Sequence, residues 1–122
     1  MAKTKLLIAD DSKSMHLFYD ASLPDDLFEK RFAANGLEAI TVYKSWKPDM
    51  ILLDFNMPQL DGYHTLEKIR QELDDRSTPV IMVTSQSEKD KVLACAKIGI
   101  KGYLVKPFKA EDLLKKISAN LK

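Results

Sequence analysis

The stretch that decides the fold is Met50-Ile51-Leu52-Leu53-Asp54-Phe55-Asn56-Met57-Pro58, in which an apolar run leads directly into a carboxylate. Such a run is typical of a central strand with helices on both faces, because none of its residues is suited to water. Pro58 has no N–H to donate and ends the strand pairing. In open α/β sheets the loops at the carboxyl ends of the strands form the ligand crevice, so Asp54 stands at a position suited to chemistry. An aspartate there is also a common turn or capping residue, so Asp54 alone does not decide the function.

Length and composition limit the classes of protein to which the chain can belong. Its 122 residues predict one domain over residues 1–122, large enough to bury a core. The 19 lysines and arginines nearly balance the 18 aspartates and glutamates, so we expect neither nucleic acid nor a membrane as partner, and we expect a monomer. The single cysteine, Cys95, cannot form an internal disulfide and is expected to pack. No signal peptide or spanning apolar run opens the chain, which favours a cytoplasmic location.

Strand and helix patterns alternate along the whole chain. The predicted strands cover residues 5–10, 28–33, 50–54, 80–83 and 102–105. The predicted helices begin after Ser12 as N-cap, near residue 37, at 63, at 87 and after 109, and the third runs to residue 73. This alternation predicts a doubly wound α/β fold: a five-stranded parallel sheet with right-handed crossovers and helices on both faces. Glu29, Lys30 and Arg31 favour an edge position for the second strand, which gives the flavodoxin-like strand order 2-1-3-4-5.

Polar side chains stand where the predicted strands end. Asp10 and Asp11 follow the first strand and Asp54 ends the third. The strand order places these two strands side by side, so the three carboxylates are expected to converge at one crevice. Thr84 and Lys106 would arrive there from the fourth and fifth strands.

Carboxylates held this close repel one another, and one such pair costs about 4 kcal/mol at a separation of about 4 Å and an effective dielectric of about 20. Either one acid stays protonated or a cation lies between them, and an oxygen-only, partly solvated site suits Mg²⁺. The ammonium of Lys106 and the hydroxyl of Thr84 suit the oxygens of a phosphoryl group. The cluster therefore predicts phosphoryl transfer onto a carboxylate, with Asp54 as the best-placed nucleophile and the Asp10-Asp11 pair holding the metal.

Taken in chain order, these residues resemble the receiver domain of two-component response regulators, and most closely its single-domain chemotaxis type. The resemblance covers the whole chain. The motifs that carry it are Asp10-Asp11, Asp54 with Met57-Pro58 and Asp61-Gly62, Thr84, and Lys106-Pro107-Phe108. Each motif is weak alone, but their succession at consecutive strand ends is specific to the family.

The resemblance implies a phosphorylated signalling protein, not a metabolic enzyme. Asp54 would accept a phosphoryl group from a histidine of a sensor kinase or of a histidine phosphotransfer protein. Asp11 and Asp54 would bind Mg²⁺ directly, together with the backbone carbonyl of Asn56. Asp10 would bind the metal through water.

The resemblance also implies the other site residues and a switch. Thr84 and Lys106 would bind the phosphoryl oxygens, and the Lys106–Pro107 peptide bond is expected to be cis. Phosphorylation would draw Thr84 towards the phosphate, and Tyr103 on the fifth strand would rotate into the vacated space. The surface formed by the fourth helix, fifth strand and fifth helix would then change its affinity for a docking protein, in a chemotaxis-type messenger or a phosphorelay intermediate.

The same residues bear on alternative interpretations of the function. A flavin-binding relative would need a glycine in the loop after the first strand, and residues 11–14 contain none. A phosphatase with an aspartate nucleophile, resembling the haloacid dehalogenases, would need an acid at Asn56. A receiver fold that docks proteins constitutively, without phosphorylation, stays open as the alternative. Tyr103 could simply be packed, and His16 and His64 are predicted to have surface or packing roles.

Overall fold

The strands and helices follow the predicted order. The computed structural model describes residues 2–121, and within them a five-stranded parallel sheet has the order 2-1-3-4-5. The strands are β1 Thr4–Ala9, β2 Phe28–Ala33, β3 Met50–Asp54, β4 Val80–Thr84 and β5 Gly102–Val105. The helices are α1 Lys13–Ser22, α2 Gly36–Trp46, α3 Gly62–Glu67, α4 Lys89–Ile98 and α5 Ala110–Asn120. The predicted doubly wound α/β fold is therefore confirmed.

The core has two apolar layers, one on each face of the sheet. Because side chains alternate along a strand, Ile51 and Leu53 of β3 pack with α2, α3 and α4, whereas Leu52 packs with α1 and α5. These three side chains are fully buried, and each contributes roughly 1.5–3 kcal/mol of hydrophobic stabilisation. Cys95 is buried in the first layer, in agreement with its predicted packing role. Between residues 2 and 121, no helix combines the length and the apolar character that a membrane span requires.

Three helices begin with a side chain that accepts a hydrogen bond from the first turn. Ser12, predicted as an N-cap, accepts from the N–H of Met15 at the start of α1. Asn35 and Asp61 cap α2 and α3 in the same way. An N-cap of this kind stabilises a helix by about 1 kcal/mol. These caps fix where each helix leaves the loop at the carboxyl end of its strand.

The third helix departs from the regular helix predicted over residues 63–73. After Glu67 it continues as a π-helical turn, Lys68–Glu72, in which Arg70 is buried. The guanidinium of Arg70 donates to the carbonyls of Gly99, Asp75 and Thr78, at 3.0, 2.9 and 2.7 Å. A buried cation is tolerated there because backbone carbonyls from two loops surround it. The predicted fourth helix also differs at its start, since a 3₁₀ turn, Gln86–Glu88, precedes α4.

As predicted, β2 lies at the edge of the sheet. Two of its three charged residues are exposed, but the side chain of Lys30 is only 4% exposed. Its ammonium contacts the carboxylates of Asp20 and Asp25, each at 2.9 Å. It also donates to the carbonyls of Asp20 and Leu23 at the end of α1. Lys30 therefore caps the C-terminus of α1, where a cation also interacts favourably with the helix dipole.

Candidate metal centre

Parallel pairing of β1 and β3 brings three carboxylates together. Ala9 pairs with Leu53, so Asp10 and Asp54 come next in register at the same edge of the sheet. One carboxylate oxygen from each of Asp10, Asp11 and Asp54 lies within 4.8 Å of the others. Asp10 and Asp54 are buried, whereas Asp11 is exposed to solvent. The predicted convergence of the three acids is therefore confirmed.

Lys106 forms ion pairs with two of the three acids. Its Nζ lies 3.1 Å from Oδ2 of Asp10 and 3.3 Å from Oδ1 of Asp54. Burial by itself would lower the pKa of this ammonium, but the neighbouring Asp54 and Asp10 more than offset that effect and raise the pKa. Lys106 is held in place by its backbone N–H, which donates to the carbonyl of Thr84 at 2.7 Å, and the Lys106–Pro107 bond is cis. The cluster therefore contains one firmly charged cation.

Asp54 has a carboxyl group that is poised between its two protonation states. Burial raises the pKa of Asp54 from its ordinary value of 3.8 to about 7, and the charge of Asp10 adds to this rise. Lys106 acts in the opposite direction without cancelling it. Near neutral pH Asp54 is therefore only partly ionised in the metal-free site. A divalent cation beside Asp54 would favour the ionised form.

Thr84 reaches the same edge of the sheet from β4 and is fully buried. It is paired with Val105, the residue before Lys106, so it stands one strand away from Asp54. Its Oγ1 is the one buried side-chain polar atom in residues 2–121 that has no hydrogen-bond partner. Such an atom is costly in a native interior and calls for a partner that the protein itself does not supply. An oxygen of a phosphoryl group on Asp54 is a chemically suitable acceptor.

The loop after β3 is folded tightly against Asp54. The N–H of Gly62 donates to the carbonyl of Phe55 at 2.8 Å. A Cβ on Gly62 would lie 2.4 Å from the carbonyl oxygen of Asp54, so only glycine allows this close approach. The loop between them carries Asn56, which is exposed two residues after Asp54. The Asp61-Gly62 motif thus has a steric reason in this chain.

The donor set of the cluster fits Mg²⁺. All candidate ligands are oxygens, which hard divalent cations prefer. The exposed side of the cluster at Asp11 leaves access for the waters that Mg²⁺ retains. Asp10, Asp11 and Asp54 are therefore the residues that could hold the ion.

Tyr103 and the two histidines lie outside the acidic cluster. Tyr103 is 40% exposed on β5, which disfavours the interpretation as a simply packed residue. His64 contacts Asp61 at 2.8 Å and lies on the exposed side of α3. His16, predicted to be a surface or packing residue, packs against an aromatic ring of β2 and also contacts the backbone carbonyl of Asp10. The sequence signal for the contact with Asp10 was the position of His16 one helical turn after the N-cap Ser12, close to the end of β1.

Comparison with known proteins gives matches over nearly the whole chain. The family model for the response regulator receiver domain matches residues 6–118. Chemotaxis protein CheY of Listeria monocytogenes is 39% identical over 111 residues, which cover 90% of this chain and 92% of that protein. The chain spans about half the length of other curated relatives, among them a probable transcriptional regulator of Porphyridium aerugineum that is 33% identical over 122 residues.

Solved structures agree with the family match. Vibrio cholerae CheY4, crystallised at low pH, has a TM-score of 0.90 at 33% identity, and the match covers 98% of this chain and all of that one. A chain of the CheX–CheY–BeF3–Mg²⁺ complex of Borrelia burgdorferi has a TM-score of 0.86 at 28% identity, covering 95% of this chain and 87% of that one. The arrangement of sheet and helices in this chain is thus similar to that of these two structures.

The raised pKa of Asp54 predicts a pH-dependent stability for the metal-free protein. Since the folded state holds this proton up to about pH 7 and the unfolded chain releases it near 3.8, the free energy of unfolding should fall as the pH rises between these values. Asp54→Asn removes the titrating group. We expect this variant to be more stable than the wild type by roughly 2–4 kcal/mol at pH 8, with a smaller difference at pH 5. Urea denaturation without divalent cations measures both values, and an equal difference at the two pH values would contradict the prediction.

Proposed function

Because the chain belongs to the response regulator receiver domain family, we propose that it is a signalling switch phosphorylated on Asp54 in a Mg²⁺-dependent reaction. The observation that carries this proposal is the cluster of Asp10, Asp11 and Asp54 with Lys106 between two of its members. The family membership fixes the class of protein, and the cluster supplies an acceptor, a cation site and a phosphoryl-binding ammonium. In this account residues 1–122 act as one receiver unit in the cytoplasm.

In the transfer step an oxygen of Asp54 attacks the phosphorus of a phosphohistidine on a kinase or a phosphotransfer protein. The new O–P bond forms as the P–N bond breaks, and the histidine nitrogen leaves with the electron pair and takes up a proton. Mg²⁺, when bound, supplies positive charge beside the phosphoryl oxygens. The ionised form of Asp54 is the nucleophile, so the same cation that favours ionisation also favours the attack.

Each of the other site residues has a role that its position supports. Asp11 and Asp54 would hold the cation directly with the backbone carbonyl of Asn56. Asp10, already bonded to Lys106, would hold it through water. The ammonium of Lys106 would move from the carboxylates to a phosphoryl oxygen. The unpartnered hydroxyl of Thr84 would donate to another phosphoryl oxygen.

The readout of phosphorylation is proposed to be the surface of α4, β5 and α5. Two large apolar side chains, Leu93 and Tyr103, are 69% and 40% exposed there. Between residues 89 and 115 the exposed charged side chains are mainly basic: Lys89, Lys91, Lys97, Lys101, Lys109 and Lys115, against Asp90, Glu111 and Asp112. This surface suits a downstream docking protein with acidic and apolar side chains. Inward rotation of Tyr103, coupled to Thr84, would change its affinity for that protein.

The proposed acceptor can be tested by intact-mass spectrometry after incubation with acetyl phosphate. We expect one added phosphoryl group in the wild type with Mg²⁺, and no addition when Mg²⁺ is chelated. Asp54→Asn should show no addition under either condition, whereas Asp49→Asn, an exposed acid at the opposite end of β3, should behave like the wild type. Absence of the adduct from the wild type would contradict the proposal and favour the constitutive docking module.

The proposed switch can be followed by fluorine NMR of protein labelled with 3-fluorotyrosine. Addition of beryllofluoride and Mg²⁺, which mimics the phosphorylated aspartate, should shift the Tyr103 resonance and reduce its solvent exposure. The resonance is assigned by its loss in Tyr103→Phe. In Thr84→Ala the mimic should still bind, but the Tyr103 shift should fall to less than about half of the wild-type value, since the coupling hydroxyl is missing. If the Tyr103 resonance of the wild type does not shift when the mimic is added, this switch is excluded.

A further inference from the structure

His16 contacts the backbone immediately beside the acidic cluster. Its Nε2 lies 2.5 Å from the carbonyl oxygen of Asp10. A carbonyl oxygen can only accept, so Nε2 carries the hydrogen and donates it. The imidazole is also stacked on Phe32, with ring centroids 4.8 Å apart and a tilt of 33°. The ring is therefore fixed on one side by an aromatic contact and on the other by a hydrogen bond.

The backbone of Asp10 is fixed at both of its polar groups. Its N–H donates to the carbonyl of Ala33 at 2.9 Å, and its carbonyl accepts from His16. Ala33 follows Phe32 on β2, so the same end of β2 supports both anchors. The carboxylate of Asp10 is held separately, by the N–H of Ser12 and by Lys106.

Asp11 depends on this backbone because its own side chain is exposed to solvent. The carbonyl of Asp10 and the N–H and Cα of Asp11 lie in one rigid peptide plane. A hydrogen bond that fixes the carbonyl therefore also fixes where the side chain of Asp11 begins. One carboxylate oxygen from each of the three acids lies within 4.8 Å of the others, and a fixed starting point for Asp11 opposes their mutual repulsion.

We propose that His16 is a positioning residue for the divalent cation: by donating to the Asp10 carbonyl it sets the Asp10–Asp11 peptide and so raises the affinity of the acidic cluster for the ion. This inference rests on the proposed function, since it takes the cluster to be the cation site. His16 does not bind the ion. It reduces the reorganisation that the ligands undergo when the ion binds.

The test compares replacements of His16 that differ in the hydrogen-bond donor. His16→Gln and His16→Met have similar length and shape, but only glutamine carries a donor that can reach the carbonyl. His16→Phe lacks the donor and keeps the aromatic contact with Phe32. His64→Met is the matched control, because His64 contacts Asp61 and not the acidic cluster. Mn²⁺ is the probe, and its free concentration is measured by electron paramagnetic resonance, with thermal unfolding of each variant as the check of folding.

We expect His16→Met and His16→Phe to bind Mn²⁺ about five-fold more weakly than the wild type, the effect of one lost hydrogen bond. His16→Gln and His64→Met should stay within about two-fold of the wild type. Wild-type affinity in both donor-free variants, or an equal loss in His16→Gln, would overturn the inference while leaving the proposed function intact. A wild-type protein that binds no more Mn²⁺ than Asp11→Asn does would instead overturn the proposed function, and the inference with it.

Discussion

The mutual repulsion of three carboxylates, balanced by one lysine, is the constraint on which this structure depends. Pairs of such charges cost several kcal/mol at partly buried positions. The parallel sheet nevertheless forces them together, because β1 and β3 are neighbours and each is followed or ended by an aspartate. Lys106, which follows the edge strand β5, supplies the positive charge that offsets this repulsion in the absence of a bound cation.

The proposed switch depends on this balance. Lys106 is shared between Asp10 and Asp54, so it is available to a more negative group placed at the same point. Asp54 is only partly ionised near neutral pH, and Thr84 has a hydroxyl without a partner. A cation and a phosphoryl group would satisfy all three residues together. A change of the α4, β5 and α5 surface requires that the phosphorylated and unphosphorylated states differ in interaction free energy.

The sequence predicted those features that depend on local pattern or on strand order. Apolar runs located the strands, and parallel connections then placed Asp10, Asp54 and Thr84 at one edge. The exposure of Tyr103 could not be decided in the same way, since a tyrosine on an edge strand is compatible with packing and with solvent.

Three features that the sequence did not predict depend on contacts between separate parts of the fold. Lys30 was one of the charges that predicted an edge strand, yet its ammonium caps α1, which lies beside β2 in the fold. The π-helical turn contains Arg70, whose guanidinium donates to the carbonyls of Gly99 and Thr78. His16 carried no ligand spacing, and its partner is a backbone carbonyl, which no side-chain motif records. In each case a polar group was satisfied by backbone oxygens from another part of the fold.

The most direct test of this account is the titration of the Asp54 carboxyl carbon by ¹³C NMR, with and without Mg²⁺. We expect an apparent pKa of about 7 for Asp54 in the metal-free protein, because burial and Asp10 outweigh Lys106. Saturating Mg²⁺ should lower that pKa, and Lys106→Met should raise it in the absence of the metal. An Asp54 pKa near the ordinary 3.8 that responds neither to Mg²⁺ nor to the loss of Lys106 would contradict the account.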